Sequence, residues 1–357
     1  MKVLILGGVA AGTKAAAKIK RQDQSADVTI LVKDRDISYA GCGLPYYVGG
    51  LIETRDELIV NTPQKYTALT GARVLTGREA VGLNAAAKTV TAKNLTSGET
   101  ETYEYDSLII ATGASSVIPP IEGAAQQGVF KLRTPDDAIA LRGYLEQNAA
   151  KKAVVIGGGF IGLEAAENLL AQGLGVTVID VAGQIMPGVL DAEMADFARK
   201  KLQATGIRVM TGTAAQAILG DGRVTAVKTE AGTLPADVVV MSAGIRPNTA
   251  FLEGSGLEMV KGTIPVDGQL RTNLPNVYAA GDCALVTNRL TGAAQWSPMG
   301  SSANMEGRTL ALALTGENKR YPGVLGTGVV KLPGLNCGRT GLTETAARQA
   351  GYEVATA

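Results

Sequence analysis

The strongest constraint on the fold is a pattern that occurs twice. Val3–Leu6 is a short apolar run ending in glycines, followed by a helix-like stretch, Thr13–Arg21, and a second apolar run, Val28–Val32. Ala153–Ile156, Ile161–Ala171 and Val176–Ile179 repeat that order. Strand, glycine turn, helix and strand together make the mononucleotide-binding unit of doubly wound α/β sheets. Each copy also has a later apolar strand ending in small residues, Leu108-Ile109-Ile110-Ala111-Thr112-Gly113 and Val238-Val239-Val240-Met241-Ser242-Ala243-Gly244. The expected fold class is therefore α/β, with two doubly wound dinucleotide-binding domains. Alternation at Lys88–Ala92 and Thr100–Tyr105 predicts a small antiparallel ribbon, matched by another around Arg223–Lys228.

The second glycine turn is the more regular. Gly157-Gly158-Gly159-Phe160-Ile161-Gly162 is a full G-x-G-x-x-G between a strand and a helix. There the backbone can approach a pyrophosphate at the helix N-terminus. Asp180 ends the next strand, about 20 residues past Gly159, at the spacing of an acid that holds ribose hydroxyls. A carboxylate there repels a 2′-phosphate, and Val181-Ala182-Gly183-Gln184 brings no arginine, so NADH is expected over NADPH. The first turn, Gly7-Gly8-Val9-Ala10-Ala11-Gly12, has valine at the middle glycine. Val32 stands where the strand-end acid is expected, followed by Lys33 and Asp34, and Asp34 is the substitute.

Three cysteines in 357 residues make no disulfide framework, which predicts a reducing cytoplasm. The chain contains no histidine, so the commonest general base and metal ligand is missing and no metal site is expected. Net charge is +1, which excludes a global field drawing the chain to nucleic acid or anionic lipid, and no apolar run reaches spanning length. Cys42, in Ser38-Tyr39-Ala40-Gly41-Cys42-Gly43-Leu44-Pro45-Tyr46-Tyr47, has no cysteine near it in sequence. Pro45 suits the first turn of a helix starting just after it, where a thiolate is stabilised. Taken alone, an isolated cysteine reads as an inert core residue.

Thr272-Asn273-Leu274-Pro275-Asn276-Val277-Tyr278-Ala279-Ala280-Gly281-Asp282 resembles the second FAD signature of flavoprotein pyridine nucleotide oxidoreductases. Ala111-Thr112-Gly113 resembles that group's link between FAD and NAD domains, so the resemblance covers nearly the whole chain. It implies a glutathione-reductase-like two-domain flavoprotein whose Asp282 bonds the FAD ribityl chain. The cofactor-binding set it implies comprises Gly7, Gly8, Ala11, Gly12, Lys33, Asp34, Ala80, Ala111, Thr112, Gly113, Arg133, Gly281 and Asp282, with Gly157, Gly159, Phe160, Ile161, Gly162, Glu164, Asp180 and Gly244 in the second half. Phe160 is equally a helix-packing residue and Glu164 equally a surface charge.

One cysteine followed by Gly-Leu-Pro-Tyr resembles the single-cysteine branch, which includes CoA-disulfide reductases, persulfide and polysulfide reductases, NADH oxidases and NADH peroxidases. Oxidases and peroxidases of that branch usually carry a histidine in the first glycine turn, where this chain has Ala10. The resemblance therefore implies that electrons pass from NADH through FAD to Cys42, which reduces a disulfide, persulfide or polysulfide. Lys14, Lys18 and Arg21 share one face of the first helix and, with Ser38 and Asn304, form the substrate-binding set for a CoA-type ligand. A solvated helix face is the alternative for these cations.

Residues 1–112 and 246–318 are expected to bind FAD, 113–245 to bind NAD, and 319–357 to begin a C-terminal interface domain. Relatives in that branch continue into a full interface domain, so a homodimer is expected when it is present. Two other readings stay open: an NADH oxidase or peroxidase cycling Cys42 through sulfenic acid, and a flavoprotein electron carrier or NADH-sensing binding protein.

Overall fold

The computed structural model describes residues 1–356. In the first compact unit, residues 1–39, 59–115 and 246–325, five parallel strands run in the order 277–279, 107–110, 2–6, 27–32 and 73–76. Val3 pairs with Val28 on one side and Ser107 on the other. Val3, Leu4, Ile5 and Leu6 are each no more than 2% exposed, because this strand is covered on both faces. That double burial explains why it reads as an unbroken apolar run instead of an alternation.

The second unit, residues 40–58, 116–245 and 326–357, repeats the arrangement with strands 208–210, 175–179, 152–156, 238–241 and 129–131, all parallel. Ala153 takes the place of Val3, pairing with Val176 and Val238. The helices after the glycine turns span Ala10–Gln22 and Phe160–Ala171. The first expected ribbon gains a third strand, 78–84 beside 89–94 and 100–104, and the second, read only around Arg223–Lys228, consists of 215–220, 224–229 and 232–235.

The two glycine turns are built alike at the atomic level. Gly7 and Gly157 have φ of +106° and +112°. A Cβ on Gly12 would lie 2.0 Å from the Gly7 carbonyl oxygen, and one on Gly162 would lie 1.9 Å from that of Gly157. Helix and strand meet there at backbone contact, which only glycine allows.

The unit boundaries differ from those read in the sequence. Residues 40–58, expected with the first unit, belong to the second, because helix Leu44–Val48 packs on helices Pro135–Asn148 and Phe160–Ala171. The C-terminal stretch is divided as well: 319–325 joins the first unit, and 326–357 joins the second. The hairpin Gly328–Leu332/Leu335–Arg339 rests on helices Phe160–Ala171 and Ala192–Ala204. Arg339 Nη1 donates to the Gly188 carbonyl at 2.6 Å, and the Asp191 carboxylate accepts the Glu344 and Thr345 N–H groups. No helix among the described residues is long and apolar enough to cross a membrane.

Candidate active site

Cys42 is exposed and sits in a 3-10 turn, Gly41–Gly43, directly before helix Leu44–Val48. Pro45 occupies the first turn of that helix, as the sequence indicated. With only five residues, the helix supplies far less dipole than a full-length one, so its N-terminus is a minor influence on the thiol. The other cysteines differ in kind. Cys283 is fully buried, its Sγ lies 3.4 Å from the Ile110 carbonyl oxygen, and burial pushes the thiol up to about 11. Cys337 is half-buried, and burial raises it too.

Tyr46, four residues after Cys42, donates its hydroxyl to Glu164 Oε1 at 3.3 Å. Burial raises the Glu164 carboxyl to about 7, the nearby Glu167 charge adds to the shift, and the Tyr46 hydrogen bond opposes it. Burial first, then the charges of Glu164 and Glu167, push Tyr46 up to about 12. Glu167, one turn along the same helix, lies 3.7 Å from Lys331 Nζ, while its Oε2 is buried with no hydrogen-bond partner among the described residues. Lys331 Nζ also stands 6.0 Å from the Tyr46 ring centroid. Of this cluster the sequence had singled out only Glu164, and it is a half-buried member of a network, not a surface charge. Lys331 joins from far along the chain, and no local signal marks it.

Helices Ala10–Gln22 and Phe160–Ala171 begin without a side-chain cap and without an acid in the first turn. Thr62, Thr134 and Thr343 by contrast cap the helices that follow them. The first-turn N–H groups of the two glycine-turn helices are thus free to donate to a phosphate. A Cβ on Gly159 would meet nothing within 4 Å, so space is left over that turn. Asp180 lies at the end of its strand, where Oδ2 accepts the Gly158 N–H at 2.6 Å and Oδ1 the Ala182 N–H at 2.8 Å. Those bonds aim the carboxylate and leave lone pairs for ribose hydroxyls. Phe160 is half-buried, Ile161 and Gly244 are exposed, and the Arg133 N–H donates to Asp137 at 3.0 Å just before the Thr134 cap.

In the first unit, Val32 fills the position expected for an acid: a Cβ on Gly8 would lie 2.6 Å from Val32 Cγ2. Lys33 and Asp34 are exposed at the strand end, and Lys33 Nζ meets Glu79 at 2.7 Å, next to Ala80. Glu79 is thus a second carboxylate at this edge that the sequence did not mark. Ala111, Thr112 and Gly113 are half-buried at the end of the neighbouring strand. The Gly281 N–H donates to Glu306 Oε2 at 2.6 Å, which holds the turn carrying Asp282, and the Asp282 carbonyl accepts the Trp296 indole N–H. Glu306 is 1% exposed. Its only sequence signal is an acid on the same helix face as Ala303, Gly307 and Leu310.

Burial raises Glu306 to about 7, the Asp282 charge adds to this, and the Gly281 N–H opposes it. The folded-state value lies above the ordinary 4.5, so this contribution to stability is complete below about pH 4.5 and lost as pH rises through 7. At pH 8 the loss is about 3 kcal/mol. Glu306→Gln is expected to raise the urea midpoint at pH 8 and leave it nearly unchanged at pH 4. Equal pH slopes in the two proteins would refute this.

The five substrate-set residues all fall in the first unit. Lys14 and Lys18 are half-buried, Arg21 and Asn304 are exposed, and Lys18 donates to Gln22. Helix Gly300–Leu314 crosses helix Ala10–Gln22 so closely that a Cβ on Gly307 would lie 2.4 Å from the Ala11 carbonyl oxygen, which places Asn304 on the helix packed against the lysines. Ser38 has φ of +48°, a left-handed conformation uncommon for serine, and its N–H donates to the Gly8 carbonyl.

Two doubly wound units, each with a glycine turn facing an uncapped helix, together with an exposed cysteine turn, define a dinucleotide-dependent redox protein. Residues 1–303 match the model of the pyridine nucleotide-disulphide oxidoreductase family. The chain belongs to that family. It is 36% identical to the NAD(P)H coenzyme A polysulfide/persulfide reductase of Pyrococcus horikoshii, covering 100% of this chain and 79% of that protein. It is 35% identical to the NADH oxidase of Methanocaldococcus jannaschii, covering 96% of this chain and 76% of that one. The solved NAD-dependent persulfide reductase from A. fulgidus superimposes with a TM-score of 0.94 at 38% identity, over 99% of this chain. This chain spans 66% of that protein's length.

Proposed function

We propose that the chain binds FAD in its first unit and NADH in its second, and passes electrons to Cys42 to reduce a sulfur–sulfur bond. The substrate class is a disulfide, persulfide or polysulfide, with CoA-type thiols favoured. The observation that carries the reading is the exposed Cys42 turn in a chain whose first glycine turn has Ala10 and which has no histidine. FAD, when bound, supplies two-electron transfer between nicotinamide and thiol. The chain's own part begins with the Cys42 thiolate attacking one sulfur of the substrate: a Cys42–S–S–R bond forms, the original S–S bond breaks, and a thiolate departs. Gly157, Gly159 and Gly162 shape the nicotinamide-nucleotide cradle, and Asp180 selects against a 2′-phosphate. Lys14, Lys18 and Arg21 offer positive charge to a phosphorylated thiol, with Ser38 and Asn304 beside them in the set. Asp282, steadied through Gly281 by Glu306, serves the ribityl chain.

The three thiols support a reducing, cytoplasmic compartment, and small-molecule substrates are favoured over nucleic acid or membrane. A homodimer is the assembly that the resemblance to interface-domain relatives favours. A second reading, NADH oxidase with a Cys42 sulfenic acid, is favoured by the likeness to the M. jannaschii enzyme. Anaerobic oxidation of NADH and NADPH should be followed with CoA disulfide, CoA persulfide, polysulfide and peroxide in parallel. Sulfur substrates with NADH are expected to turn over fastest; rapid peroxide turnover with none on sulfur would overturn the reading.

A further inference from the structure

We propose that Tyr46 and Glu164 form a proton relay serving sulfur at the Cys42 turn. The proposal rests on the sulfur-reducing reading above. Reducing a disulfide with NADH consumes one further proton: RSSR + NADH + H⁺ gives 2 RSH + NAD⁺. These 357 residues hold no histidine, so an acid of another type is needed for a side chain to deliver that proton to the departing thiolate.

The geometry supplies one. Tyr46 stands one helical turn from Cys42, and its hydroxyl is bonded to Glu164 on the helix beneath. A charge on Cys42 adds slightly to the upward push on Tyr46, after burial and the two glutamates. Among the described residues, Glu164 meets Tyr46 from the short helix and Glu167 from its own helix, and Lys331 from the C-terminal hairpin pairs with Glu167. Arg142 lies on the far side of Tyr47, 4.8 Å from its ring centroid. The strands under this helix present apolar residues, among them Val155, Val178 and Val240.

In the step itself, the departing thiolate takes the Tyr46 O–H proton and the Tyr46 oxygen takes the Glu164 carboxyl proton. An S–H bond forms, a new Tyr46 O–H bond replaces the one broken, and Glu164 is left as carboxylate. That carboxylate accepts the Tyr46 hydroxyl, as seen in the structure, and is reprotonated from solvent. Tyr46 alone, near 12, is a poor donor to a thiolate of ordinary basicity, about 8.5. Glu164, near 7, makes the overall transfer downhill. The Glu167 charge helps keep Glu164 protonated, and Lys331, 3.7 Å away, favours that charge on Glu167.

The test uses FAD-loaded protein and two variants, Glu164→Gln and Tyr46→Phe. Cys42 alkylation by iodoacetamide is followed against pH, and kcat with a disulfide is followed in parallel. In the wild type, alkylation is expected to show an inflexion near pH 7 that is lost in Glu164→Gln. Both variants are expected to lower kcat on the order of 10²-fold, and the double variant no further than either alone. An inflexion that survives in Glu164→Gln, or losses that multiply in the double variant, would overturn the relay. A wild type that shows the inflexion but turns over no sulfur substrate would sink the functional reading and leave only the coupling of Glu164 to Cys42.

Discussion

Cys42→Ser is expected to abolish reduction of sulfur substrates, with kcat/KM falling on the order of 10³-fold or more. A hydroxyl at this position is far less acidic than a thiol, so little nucleophile forms at neutral pH. The ether-like bond it could make to sulfur has no redox cycle. Cys42 is exposed in a 3-10 turn and fills no core space, so its replacement should change folding stability by about 0.5 kcal/mol or less. That separation gives the experiment its force: thermal unfolding checks the fold, and anaerobic turnover checks the chemistry. Cys283→Ser is the contrasting change. That thiol is fully buried against the Ile110 and Ala280 carbonyls, and its loss should touch stability while sparing the mechanism. A Cys42→Ser protein with undiminished sulfur turnover would remove Cys42 from the reaction.

Two glycines in one turn should fail in opposite ways. A methyl on Gly162 would sit 1.9 Å from the Gly157 carbonyl oxygen, a backbone atom that cannot move aside. Gly162→Ala is therefore expected to cost about 4 kcal/mol or more and to unfold the second unit at moderate temperature. A methyl on Gly159 would meet no protein atom within 4 Å, and its φ of −83° suits any residue. Gly159→Ala should thus fold normally while weakening NADH binding at least tenfold, because the methyl enters the space proposed for the pyrophosphate. Urea unfolding and NADH titration of the same two proteins separate the effects. A stable Gly162→Ala would mean that the helix–strand contact is looser than the structure shows. Unaltered NADH affinity in Gly159→Ala would place the pyrophosphate elsewhere.

Much of the framework was legible because it is locally encoded. Val3–Leu6 and Ala153–Ile156 carry apolar runs, adjoining glycines and a following helix within about 20 residues, so strand–turn–helix can be read without knowing what packs on it. Strands 78–84 and 215–220 were missed because they alternate only weakly and carry a register shift. Glu306 was missed because an acid in a small-residue helix reads as solvated until burial is known.

The sequence by itself determined the duplicated dinucleotide units, the isolation of Cys42 along the chain and the absence of histidine. Those properties depend on residue type and short spacing. Only the tertiary structure decided that residues 40–58 join the second unit, that Tyr46 meets Glu164 from 118 residues away, and that Lys331 approaches Glu167. These meetings come from helices and a hairpin packing side by side. Burial created by that packing, more than anything written locally, sets Glu164 near neutrality.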